Sequence, residues 1–312
     1  VYKRQLPAYD KRKSREFFVN RVRKQIHYSR AEKEQLTGYH IGVGVLDSGI
    51  FPHEDLKDQI RAFRDFTNKY QLPYDETGHG THVCGILAGN GRVLHGKYKG
   101  MAPCCDLYVG KILNKRGEGS LKTLLRGLQW LLSIAESCNI RVINISVSSI
   151  ASARPEEQRK LYELFQYAYE NNILIVTAAG NFGPGDNTIS RLGDTPYVIC
   201  VGCHDGDLEN GGLRCQDCSG RGPGENVWKK PDVVAPGTQI ISCQAAYGKY
   251  VARSGTSMAT PIVSGLLALA REKYPYLNAM QLKRKLILSA TDLGESYLMQ
   301  GAGMVDVEKM LS

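Results

Sequence analysis

Short apolar runs alternate with helix-spaced leucines along most of this 312-residue chain. Ile41 to Leu46 runs up to Asp47, and comparable runs occupy Leu107 to Ile112, Val142 to Ile145, Ile173 to Val176 and Val198 to Val201. Because these segments carry no polar alternation, they predict strands covered on both faces, the signature of a parallel sheet. Between them Leu121, Leu124, Leu125, Leu128, Leu131, Leu132 and Ala135 keep helical spacing, as do Leu161, Leu164, Phe165 and Ala168 behind Pro155. The stretch from Met258 through Ala270 is apolar all round and predicts a central buried helix, with a further helix expected at about Ala279 to Ser289. Residues 205–224, rich in glycine and polar side chains, read as surface loops.

Strand and helix in alternation imply right-handed crossovers, a mostly parallel central sheet flanked by helices, and chemistry outside the carboxyl ends of the strands. Asp47 and Asn181 both fall just past such ends. An apolar content of 42% supports a large core in this α/β chain, and candidate motifs spread over nearly its whole length favour one catalytic domain. No apolar run approaches the ~20 residues of a membrane-spanning helix. The first residue is Val1, so a leader or pro-segment removed or not included stays open.

The net charge of +9 is unevenly placed, with eleven Lys/Arg against four Asp/Glu in residues 1–35, an excess of seven. Residues 1–23 are therefore expected to be a solvated basic extension or linker remnant preceding a catalytic domain over 24–312, and nucleic-acid binding is not expected.

The chemistry-bearing blocks are Val45-Leu46-Asp47-Ser48-Gly49, Gly78-His79-Gly80-Thr81-His82, Thr177-Ala178-Ala179-Gly180-Asn181 and Gly255-Thr256-Ser257-Met258-Ala259-Thr260-Pro261. An alcohol hydroxyl is a poor nucleophile at neutral pH, so acyl transfer needs a base within hydrogen-bond reach and a third group to fix that base's tautomer. Serine, histidine and aspartate fill those roles, and Ser257 at a helix start places its own N–H among donors able to face an oxyanion. The four blocks in this order resemble the subtilisin-like serine proteases, peptidase family S8, most nearly the bacterial subtilisin-type enzymes; the order Asp, His, Ser is the one known for subtilisin. The resemblance runs from about Lys24 to the C-terminus. It implies a three-layer subtilisin-like fold and a serine endopeptidase working through an acyl-enzyme, with catalytic Asp47, His79 and Ser257. It further implies that His79, rather than His82, is the base and that Asn181 donates to the oxyanion. The alternative is a non-catalytic subtilase-like binding or regulatory protein.

The resemblance also suggests that a peptide or protein substrate adds as a strand between Gly117-Glu118-Gly119 and Ser146-Val147-Ser148, with Ala179, Gly180 and Ser190 near the first side-chain pocket. Val147-Ser148-Ser149 stands where the family commonly has Leu-Gly-Gly, and Ser190 where many members carry glycine. Members often hold calcium in a loop that here spans 90–99 and contains Arg92, Lys97 and Lys99 but no carboxylate, so no calcium is expected there. An inhibitory pro-region is common in the family, and residues 1–23 are too short to be one.

Nine cysteines, an odd number dispersed through predicted elements, favour reduced thiols and an intracellular setting, with secretion left open. Cys200-x2-Cys203 and Cys215-x2-Cys218 have the spacing of a four-thiolate zinc site. Cys200 and Cys203 lie in a predicted strand, however, where residues three apart face opposite ways, so packing is expected, with zinc or a labile disulfide the alternative. No cofactor is expected, with calcium outside the 90–99 loop left open.

Overall fold

The computed structural model describes residues 18–68, 70–147, 154–205, 214–224 and 228–312. Seven strands form one parallel sheet: β1 (Gly42–Asp47), β2 (Ile60–Asp65), β3 (Asp106–Lys111), β4 (Ile140–Ile145), β5 (Leu174–Ala178), β6 (Val198–Cys203) and β7 (Val233–Ala235). Their spatial order is β2-β3-β1-β4-β5-β6-β7, so the chain reverses its direction of travel on either side of β1. Every residue of β1 is buried, and Asp47 stands in register with Lys111 of β3. A separate antiparallel hairpin pairs β8 (Ile240–Cys243) with β9 (Tyr250–Arg253).

The helices are α1 (Phe18–Gln25), α2 (Ser29–Lys33), α3 (His79–Ala88), α4 (Leu121–Ile134), α5 (Pro155–Glu170), α6 (Thr256–Lys273) and α7 (Ala279–Ser289), followed by two single turns. Two apolar clusters cover the sheet's faces. One centres on α3 and α6, with Val43, Val45, Val176 and Val201 from the strands; the other centres on α4 and α5, with Leu46, Ile143 and Ile175. This is the three-layer α/β arrangement anticipated from the alternating pattern. Helix α6 is buried along nearly its whole length, as an all-apolar helix must be. It is pinned to β4 by Ser264 Oγ, which donates to Asn144 Oδ1 at 2.8 Å.

The boundary drawn between residues 23 and 24 falls inside α1. Val22 is buried in the core, Arg21 Nη2 donates to Thr238 O at 2.7 Å, and Arg23 Nη2 reaches the carbonyls of Lys99 and Gly100. The basic side chains of this stretch thus satisfy carbonyl groups of the packed body, and residues 1–17 lie outside the described residues.

The cysteines also depart from expectation. Cys203, the last residue of β6, is disulfide-bonded to Cys215, which opens a 3₁₀ turn at Cys215–Asp217. The remaining seven are free. Strand alternation separates Cys200 from this pair: it lies on the other side of β6 against Gly193, so the four sulfurs do not converge on one point.

Candidate active site

Asp47 closes β1, fully buried, with its carboxylate at the carboxyl edge of the sheet. Oδ1 accepts from the backbone N–H of Ser48 and from His79 Nδ1, each at 2.7 Å. Asp47 can only accept here, so His79 carries its proton on Nδ1 and turns Nε2 outward as the basic nitrogen. Asp47 Oδ2 is buried and has no hydrogen-bond partner among the described residues, which leaves the imidazole as the principal side-chain partner of that charge there.

His79 is the first residue of α3. Burial acts to keep its ring neutral, but the adjacent Asp47 charge and hydrogen bond outweigh burial, and its pKa lies above the ordinary histidine value. His82, one helical turn on, is a different kind of histidine. Its Nε2 lies 3.0 Å from both Ile240 O and Val251 O, so it bridges the two strands of the β8–β9 hairpin. Burial, reinforced by the Arg253 charge, pushes its pKa down to about 3, and it is neutral at physiological pH.

Ser257 is the second residue of α6, with 8% of its surface exposed. Its hydroxyl donates to Ser146 O, just beyond β4, at 2.9 Å, rather than to His79. Asn181 follows β5 and faces the same helix start. Its Oδ1 accepts from Thr256 N at 3.0 Å and Thr256 Oγ1 at 3.1 Å, an arrangement that fixes the amide's orientation and leaves the Nδ2 hydrogens to point elsewhere. Gly255 permits the approach: its φ is +139°, and a Cβ there would lie 3.3 Å from the Asn181 amide atoms.

Three groups that the sequence reading passed over organise the histidine. Asp75 accepts from Ser48 Oγ, Thr77 N and Gly78 N through Oδ1, and from Thr81 N and Thr81 Oγ1 through Oδ2. It satisfies backbone donors around the start of α3, which would otherwise be orphaned, and places negative charge at the positive end of the helix. Ser48 Oγ in turn accepts from Gly80 N at 2.9 Å. Lys111, fully buried beside Asp47, donates to Ser48 O at 2.6 Å and Leu113 O at 2.8 Å, with Glu76 Oε2 at 3.3 Å. Neither Asp75, three residues ahead of the Gly78 N-cap, nor Lys111 is marked by the local pattern.

The proposed substrate edges begin beside the same centre. Ile112 N and Leu113 N both donate to Asp47 O, and the chain then turns through Gly117, bridging Leu113 to Gly119. Ser146 and buried Val147 continue past β4, while Ser148 lies outside the described residues. Ala179 O accepts from Ser190 N at 2.7 Å, and Gly180 faces the Ser190 Cβ at about the same place, so these three form one wall.

A model of the subtilase family, Peptidase_S8, matches residues 38–305. Serine protease AprX of Bacillus subtilis is 35% identical over 299 residues, covering 88% of this chain and 67% of its own. Subtilisin DY of Bacillus licheniformis is 33% identical over 285 residues, covering 89% and 94%. Among solved structures, sphericase superposes with a TM-score of 0.75 at 30% identity, covering 87% of this chain and 92% of its own. The S41 psychrophilic protease does so with a TM-score of 0.76 at 29% identity.

Proposed function

The chain belongs to the subtilase family and is a serine-type endopeptidase, and we propose that it cleaves peptide bonds through Asp47, His79 and Ser257, with Asn181 at the oxyanion. The observation that carries this assignment is the 2.7 Å bond from His79 Nδ1 to buried Asp47, which commits the other ring nitrogen to the role of base.

In this reading, rotation about the Ser257 side chain moves Oγ from Ser146 O to His79 Nε2. His79 takes the proton as Oγ attacks the scissile carbonyl carbon, and Asp47 stabilises the imidazolium without itself becoming protonated. The Asn181 amide and the Ser257 backbone N–H receive the oxyanion, donors already oriented by Thr256 and by the helix start. His79 returns the proton to the departing amine. Water then resolves the acyl-enzyme by the same steps in reverse order. Ser146 O, released by the serine, becomes an acceptor for a backbone N–H of an extended peptide lying between Gly117 to Gly119 and Ser146 to Val147. A non-catalytic binding role has less support, since the Asp47–His79 hydrogen bond and the Asn181 amide at the start of α6 suit the catalytic reading.

Calcium in the loop at 90–99 is not part of this reading. The loop offers three cations, and the carboxylates that reach it are already engaged: Asp55 accepts from Val93 N through Oδ1 and from the Tyr250 hydroxyl through Oδ2, and Asp58 pairs with Arg92. Calcium takes about six to eight oxygen ligands, so this donor set does not fit it.

The test compares cleavage of casein and of a peptide series by the wild type and by Ser257→Ala, with labelling by a serine-directed phosphonate. Loss of both turnover and labelling in the variant is expected. Equal turnover in the two proteins would overturn the assignment.

A further inference from the structure

The Cys203–Cys215 bond lies beneath the active site and is linked to both of its oxyanion-binding turns. Both residues are buried, and their Cα atoms are 5.7 Å apart, within the ordinary range for a disulfide. On one side is Gly237. A Cβ at this position would lie 2.5 Å from Cys203 Sγ, 3.2 Å from Cys215 Sγ and 2.7 Å from Gly255 O, so only glycine allows the disulfide to pack so closely on the turn that carries Ser257. Gly255 N donates back to Gly237 O at 3.0 Å. Asp205 Oδ1 holds the same stretch through the N–H groups of Gly237 and Thr238, and Cys215 N donates to Thr238 Oγ1 at 2.8 Å.

On the other side is the segment from Cys215 to Gly220. Cys218 O accepts from Gly183 N at 2.9 Å, and Gly220 N donates to Gly180 O at 2.8 Å, two bonds that bracket Asn181. Cys203 N donates to Ser219 Oγ at 2.9 Å, joining the end of β6 to this segment. One covalent bond therefore ties together the backing of Ser257 and the backing of Asn181.

We propose that Cys203–Cys215 is a redox-sensitive brace of the oxyanion site: oxidised, it holds the turns of Ser257 and Asn181 in register, and its reduction loosens them and slows turnover. The effect on turnover rests on the catalytic reading above; the bracing itself does not. The step is thiol–disulfide exchange with an external dithiol. A reductant thiolate attacks one sulfur of the pair, releasing the other cysteine as a thiolate that takes a proton. The second reductant thiolate then cleaves the mixed disulfide, so that two cysteine thiols form as the dithiol becomes a disulfide. Cys218, three residues beyond Cys215, is not the attacking group: its Sγ donates to Cys215 O, and burial raises its pKa and holds it protonated at neutral pH.

A metal bound by Cys203, Asp205 and Cys215 is the competing use of this cluster. Against it, both Asp205 oxygens are already engaged, Oδ1 by two backbone donors and Oδ2 by Thr238 Oγ1.

The experiment uses the full chain as Ser257→Ala, which removes self-cleavage, together with the wild type. Thiol titration of denatured protein is expected to find seven reactive thiols before reduction and nine after treatment with dithiothreitol. Hydrogen exchange at 180–183 and 255–257 is expected to accelerate on reduction. In the wild type, reduction is expected to lower kcat about tenfold, short of the 10²–10³-fold known for removing an oxyanion donor from a subtilisin. A Cys203→Ser/Cys215→Ser variant is expected to match the reduced enzyme and to ignore dithiothreitol. Nine thiols before reduction, about one zinc per chain, or unchanged exchange at both turns after full reduction would each overturn the brace. An inactive wild type that nevertheless shows accelerated exchange would instead count against the catalytic reading. Because the wild type carries the main comparison, failure of the double variant to fold leaves the test intact.

Discussion

Ser48 Oγ donates to Asp75 Oδ1 at 2.8 Å and in the same geometry accepts from Gly80 N, so the residue after Asp47 and the acid ahead of α3 hold Asp47 and His79 in one network. The 2.7 Å bond between Asp47 and His79 depends on where α3 begins, and Asp75 fixes that point through the N–H groups of Thr77, Gly78 and Thr81.

Asp75→Ala removes both acceptor oxygens and strands several buried donors. Its expected cost is about 2–4 kcal/mol of stability, read as a shift in urea midpoint at constant slope. Asp75→Asn keeps the shape but turns an amide toward backbone donors. We expect kcat to fall about 10–100-fold with KM little changed, since the loss is one of placement rather than of binding. An unchanged kcat in both variants would show that His79 is positioned without Asp75.

The pH profile follows from the raised pKa of His79. The base must be neutral to accept the serine proton, so the acid limb of kcat/KM should have its midpoint above about 6.5, the ordinary histidine value. Stability runs the other way: a raised folded pKa contributes stabilisation that is complete below the unfolded value and is lost as pH rises through the folded one. The enzyme should thus gain activity over the window in which it gives up this increment of stability. Asp47→Asn should move the limb downward and lower kcat by about 10⁴-fold, the scale known for the same change in a trypsin triad.

His82 should behave oppositely on both counts. With a folded pKa near 3 it contributes stability that is complete above the ordinary histidine value and is lost as pH falls toward about 3. His82→Ala opens the hairpin bridge and should cost about 1–3 kcal/mol while retaining a measurable kcat, whereas His79→Ala should abolish turnover and also lower the melting temperature, because it leaves the buried Asp47 carboxylate without its imidazole partner. Side-by-side thermal melts and peptide assays separate the two residues.

Asn181→Ala should lower kcat by about 10²–10³-fold at nearly constant KM, a magnitude borrowed from a subtilisin. Restoring a side chain at Gly255 probes the same contact from the other partner. Gly255→Ala meets both an unfavourable φ and the Asn181 amide at 3.3 Å, so it should reduce kcat without touching any reacting group. Titration of phosphonate labelling rates in the two variants would report the oxyanion geometry directly.

Much of this was legible in the residues themselves. Five strands and the helices α4 to α7 announce themselves because each lies deep in the sheet or against it, where burial dictates a run of apolar residues or a helical stripe. Strand β2 does not: Ile60-Arg61-Ala62-Phe63-Arg64-Asp65 is an edge strand, only partly buried, and its charges mask its conformation. The three residues of β7 and the short β8–β9 pair lie below the length at which periodicity speaks. Their strand character comes from partners distant in the chain.

The sequence by itself determined the α/β class and the order of the Asp47, His79, Asn181 and Ser257 blocks, because a strand end, a helix start and a tight glycine turn are local devices with local signatures. Tertiary structure alone decided which atoms meet. Asp47 and His79, 32 positions apart, share a hydrogen bond; Ser257 donates to Ser146 O across 111 residues; Lys111 is held by two carbonyls and Glu76 rather than exposed; Cys203 bonds Cys215 while Cys200, on the same strand, faces elsewhere. The physical reason is the same in each case. Hydrogen bonds act over about 3 Å and a disulfide over about 2 Å, distances set by how the sheet and α6 pack and not by separation along the chain.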